Sequence, residues 1–187
     1  MSTEIPNHII IPVEFSCTII NERLIIGNAY TLSLIISPID TPATNDIGIG
    51  FQRIRHFVSH YLQDSVLINK NHNLVDQFKE LDNNVVYLPC DPYDYYIGCI
   101  LLAKFISITE KYFDIEHLSI DSVVGDRVQY GIGDPSDANI DIKGDYWWNS
   151  DTVSTGHKTV ITWEELNLTQ IPKFQPTVIQ GGLSGSK

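Results

Sequence analysis

His56 and His60 stand four residues apart in a stretch, 47–62, whose apolar residues recur at helical spacing. At that spacing two imidazoles share one helix face and could hold a metal ion together. The metalloprotease form of the pair needs a glutamate directly after the first histidine, as general base. Phe57 stands there, so no metal site and no cofactor is expected. With Arg53 and Arg55 the two histidines make the one dense basic cluster of an otherwise acidic chain. Arg53, Arg55, His56 and His60 are therefore the expected ligand-binding residues, suited to a small phosphate-bearing, nucleotide-like anion or to an acidic partner surface. The competing reading is a solvated helix face with two ordinary histidines.

A second set of histidines suggests different chemistry. His117-Leu118-Ser119 and His157-Lys158-Thr159 are a pair of His-x-Ser/Thr tripeptides, the first inside a β-like run and the second just before one. They resemble the paired motifs of the two-histidine phosphoesterases. That resemblance covers six residues. It implies one histidine as general base, the other as general acid on a phosphodiester, and Ser119 and Thr159 holding phosphate oxygens. A small phosphodiesterase using His117, Ser119, His157 and Thr159 is the alternative expectation; the leading one has no catalytic residue.

The remaining chemistry-bearing residues are carboxylates and aromatics. Residues 114–151 hold nine Asp and Glu against Arg127 and Lys143. Asp137, Asn139 and Asp141 imitate the start of a calcium loop. Ile142 and Trp148, however, replace its glycine and its bidentate glutamate, so an EF-hand is rejected. Tyr146, Trp147 and Trp148 are adjacent in a polar segment. In an extended chain neighbouring side chains face opposite ways, so one tryptophan is expected at the surface as an interface anchor. Cys90-Asp91-Pro92 precedes a helix, a position that can lower a thiol pKa. No phosphate-binding glycine loop, dinucleotide fingerprint or nucleophile elbow is present.

The elements that must position these groups read as follows. Residues 8–38 predict a meander of three or four strands, with a turn at Asn21-Glu22. A loop over 40–46 precedes an amphipathic helix at 47–62, with Phe51, Ile54, Val58, Tyr61 and Leu62 inward and Arg53, His56 and His60 outward. Strands are predicted at 66–68 and 85–88, with a short helix after Asn73 between them. The clearest element is a helix at about 92–112, capped by Asp91, opened by Pro92 and apolar nearly all round, hence central and buried. Strands at 115–124 and 127–132 follow, then loops over 133–158, with short strands at 140–142 and 160–163. The fold class expected is α+β: a mixed or antiparallel sheet packed on the central buried helix, with the amphipathic helix beside it. One domain spans 1–171, and 172–187 is read as an extended or disordered tail.

Composition limits the function. The 187 residues carry a formal net charge of -11, which repels nucleic-acid phosphate and anionic membrane. General nucleic-acid binding is not expected. No apolar run reaches a membrane span and no signal peptide is read at the N-terminus. The three cysteines form no disulfide framework. A reducing cytoplasm is expected. About one residue in seven is isoleucine, a bias that fits an AT-rich coding sequence of a virus or bacterium. The expectation is a non-catalytic binding or interaction protein, such as a phage or viral accessory protein in the host cytoplasm. It would hold a host protein or an anionic nucleotide-like ligand, as a homo-oligomer.

Overall fold

The isoleucine-rich N-terminal third folds into two long strands instead of three or four. In a computed structural model that describes residues 8–22, 24–39, 47–79, 84–125, 128–156 and 160–168, β1 (Ile9–Ile20) and β2 (Ile25–Pro38) pair antiparallel throughout. The turn falls where the sequence places it. The Asn21 amide donates to the Leu24 carbonyl, and the Asn21 side-chain oxygen accepts from the Leu24 amide. Pro12 does not interrupt β1. The Ser16 amide donates to Gln63 Oε1 and its carbonyl accepts from the Asp64 amide, so even-numbered β1 residues turn their main chain away from β2. The next strand meets β1 only from Cys17 onward, so the N–H that Pro12 lacks faces no ladder.

β3 (Ser65–Asn69) and β4 (Val85–Leu88) extend the sheet parallel to β1, and β5 (Phe113–Ser122) and β6 (Tyr130–Ile132) extend it antiparallel beyond β2. The order is β4-β3-β1-β2-β5-β6, a mixed six-stranded sheet in a single α+β domain.

Three helices cover it unequally. α1 (Ile47–Phe57) runs into a π-helical turn, Val58–Leu62, closed by the Gln63 amide on the Val58 carbonyl. α3 (Asp94–Thr109) is the central helix and, as its composition predicts, is buried on nearly every side. Both pack on one face through Ile54, Phe57, Leu62, Leu102 and Phe105 against Leu32, Leu34, Leu118 and Ile120. α2 (Val75–Lys79) lies on the opposite face, where Leu74, Val75 and Phe78 meet Ile20, Val66, Ile68 and Val85. Among the described residues no helix is long and apolar enough to cross a membrane.

Two glycines set how closely the helices approach. A Cβ on Gly98 of α3 would sit 2.5 Å from Ile132 Cδ1 and 2.9 Å from Ile120 Cγ2. One on Gly50 of α1 would sit 2.4 Å from the Phe113 ring. The start of α3 differs from expectation. Asp91 does not cap it: its carboxylate accepts from Asn69 Nδ2, and the helix opens two residues after Pro92. Asp94, in the first turn, is buried and accepts from Tyr30 Oη (3.0 Å) and Ser122 Oγ (2.7 Å). Those bonds tie the helix to β2 and β5.

The segments at 140–142 and 160–163 form no strand. Ile161 makes one isolated bridge with Val153, and the Ile142 carbonyl accepts from Trp148 Nε1 and Asn149 Nδ2 instead of a neighbouring strand. The segment 172–187 lies outside the described residues.

Candidate functional site

Lys104 is the one charged residue in the body of α3, and it is fully buried. An ammonium there must satisfy three donors. Three main-chain carbonyls meet it: Trp147 at 2.9 Å, Ser150 at 2.7 Å and Thr152 at 2.6 Å. The Phe57 and Trp147 rings lie 5.6 and 5.9 Å from the nitrogen. Burial pushes its pKa down to about 7, against the attraction of Asp151. One turn on, Ser107 Oγ lies 3.1 Å from the Trp148 carbonyl. A segment with little regular structure is thus held by bonds from the central helix.

That segment forms an aromatic cap. Tyr146-Trp147-Trp148 is not extended: Trp147–Asn149 is a 3-10 turn, so the two indoles diverge, edge to face at 5.5 Å. Trp148 enters the core, with Tyr146 stacked on it at 4.5 Å. Trp147 is half-buried, stacks on Phe57 and donates Nε1 to the Tyr87 carbonyl of β4 (2.8 Å). The Tyr146 hydroxyl donates to Asp141, and Lys70 lies 5.1 Å from its ring. Against this cap opens a cavity of about 520 Å³, lined by Gly144, Asp145, Tyr146, Trp147, Asn149, Ser150, Thr152, Ser154 and Val160. Its lining offers aromatic edges, hydroxyls and an amide, with a single carboxylate and no cation. Two of the three carbonyls on Lys104 belong to lining residues that bear hydroxyls, so the same lysine fixes that wall.

The predicted basic cluster does not form one surface. Arg53 shares the buried stripe of α1, four residues before Phe57, and is only 6 % exposed. Its guanidinium sits 4.9 Å from both the Tyr112 and Trp163 rings and donates to the Ile108 carbonyl. Burial lowers its pKa, opposed by Tyr112, Glu164 and Asp151. Arg53 therefore joins α1, α3 and the C-terminal loop. Arg55 is exposed. The His56 and His60 rings stack at 4.1 Å, with Trp163 edge-on to His56, and His60 Nδ1 is 3.1 Å from the His56 carbonyl. Burial, then the neighbouring His60, lowers the His56 pKa. Among the described residues no three His, Cys, Asp or Glu side chains gather as a metal site.

His117 and Ser119 point from β5 to the face opposite α1 and α3, where the His117 ring lies over Gly131. His157 and Thr159 lie outside the described residues. Cys90 is not an activated thiol. Burial, then Asp91 and Cys99, push its pKa up to about 11.

Sequence reasoning passed over Lys104 and the bonded trio Tyr30, Asp94 and Ser122. The signal for Lys104 was present: the one lysine in a sixteen-residue helix whose middle, Ile97–Ile106, is otherwise without a polar side chain apart from Cys99. No protein-family model matches the chain, and no curated protein matches it.

Proposed function

We propose that this chain is a non-catalytic binding protein whose recognition site is the cavity beside Trp147. The observation that supports the reading is the union of a concave polar lining, with Asp145 its one charged group, and a wall that Lys104 holds in place. Hydroxyls and an amide beside aromatic edges suit a neutral polar group, either a small molecule or a side chain presented by a protein partner. Three tryptophans make the test direct. Protein labelled with 5-fluorotryptophan is screened by fluorine NMR against neutral polyol and aromatic-amide fragments. The expected hits move the Trp147 resonance and leave Trp163 in place, and Thr152→Val weakens them. Hits that ignore Trp147, or none at all, would sink the reading.

A second reading keeps the anionic, nucleotide-like ligand, now on Arg55, His56 and His60 without Arg53. Its support is the stacked imidazole pair and the exposure of Arg55, which precedes His56 in the sequence. Pyrophosphate should then shift both imidazoles in a proton–nitrogen spectrum, and Arg55→Gln should abolish the shift. The chain as a viral accessory protein, its cytoplasmic setting and its assembly as a homo-oligomer belong to the same proposal.

A further inference from the structure

Among the described residues, α2 covers the outer face of the sheet over β3, β4 and the end of β1. Over the rest of β1, β2, β5 and β6 no described element lies on it. Pairing places the outward residues in rows: Ile10, Ile35 and His117; Pro12, Ser33, Ser119 and Gly131; Glu14, Thr31 and Asp121; Ser16 and Ala29; Thr18 and Gly27. Hydroxyls and small residues dominate these rows. β1, β2, β5 and β6 contain Glu14, Asp114, Glu116 and Asp121, all exposed, and no lysine or arginine. At one end Ser16, Thr18, Gly27 and Ala29 floor a depression of about 450 Å³. Its walls are Asp64 and the exposed pair Val123 and Val124.

We propose that this uncovered face docks a basic protein surface and that the depression receives a lysine or arginine side chain from it. Charge selects the occupant. A second copy would set Glu14 and Asp121 against the same carboxylates, and a nucleic acid or anionic membrane would meet the same repulsion. A long basic side chain has an apolar stem and a cationic head. Val123 and Val124 match the stem, and Asp64 matches the head. This face is separate from the cavity beside Trp147, so failure of either leaves the other standing.

The test uses the full chain and a fluorescein-labelled decalysine peptide, read by anisotropy at two salt concentrations. Glu14→Lys with Asp121→Lys alters the face. Glu110→Lys with Asp137→Lys makes the same change in net charge at exposed sites off these strands. Binding should weaken about tenfold or more in the first pair and less than about twofold in the second. Glu14→Gln with Asp121→Asn should give an intermediate loss, and it covers the case in which the charge-reversed protein does not fold. Equal weakening in both lysine pairs, no binding by the parent chain, or a parent dimer that the face variants dissolve would each overturn the proposal.

Discussion

Lys104 shows what a buried charge needs in order to persist. Its three donors find three carbonyls, so replacing it with an apolar side chain leaves three part-buried acceptors without their donor. Lys104→Met should cost about 2–4 kcal/mol in urea unfolding and should shift the Trp147 resonance more than that of Trp163. The pH dependence has a definite sign. The folded pKa is about 7, below the 10.5 of an exposed lysine, so the unfolded chain binds more protons between those values. The parent chain should therefore gain stability relative to Lys104→Met from pH 7 to pH 10; a flat difference would contradict the assignment. His56 offers an independent check. Its titration midpoint, followed by NMR, should lie below 6.5 and rise in His60→Gln, because one neighbouring positive charge is removed. At this scale the sequence was least legible. Residue type and spacing brought out His56 and His60, which do meet, but grouped them with Arg53, which turns inward. Burial of a long cation depends on partners supplied from more than forty residues away, and helical spacing carries no trace of them.

Elements were read more successfully, because periodicity reports the face that a segment buries. α1, β3, β4, α3 and β5 lie close to where apolar spacing places them. The errors share a cause. Residues 8–38 looked like three or four strands, yet β1 runs unbroken through Pro12, which stands at a position where no neighbouring strand asks for its amide. Ile140-Asp141-Ile142 looked like a strand, yet its carbonyl serves an indole and an amide. In both, the unknown was which main-chain groups had partners elsewhere. The contact of α3 with the sheet gives a test of element packing. Gly98→Ala should favour an isolated helix by about 1 kcal/mol. Here the added methyl meets Ile132 and Ile120, and crowding of that kind costs about 1–3 kcal/mol. Net destabilisation is expected in chemical denaturation; a more stable variant would show that the layers slide apart freely. Tyr30→Phe removes a donor from buried Asp94 and should cost about 1–2 kcal/mol, with hydrogen exchange rising first at the start of α3.

For the whole molecule, composition and charge set limits without naming a role. Acidity, a single α+β domain and the absence of a membrane-length helix among the described residues were all legible beforehand. The cavity and the sheet face that no described element covers were not: the first depends on how the loop 144–156 folds against α3, the second on strand order. A net charge of -11 on one domain predicts that raising sodium chloride from about 10 to 300 mM lifts the unfolding midpoint, as self-repulsion is screened. A chain so rich in isoleucine also risks polymerising through its strand edges. On β4 that route is closed: the Tyr87 amide donates to the Thr155 carbonyl, Thr155 Oγ1 donates to the Val85 carbonyl, and the Trp147 indole occupies the Tyr87 carbonyl. Thr155→Val would free the Val85 acceptor, and fibril formation under agitation should then begin sooner than in the parent chain. The loop that shapes a pocket on one side thus serves, on its other side, as a seal against runaway stacking.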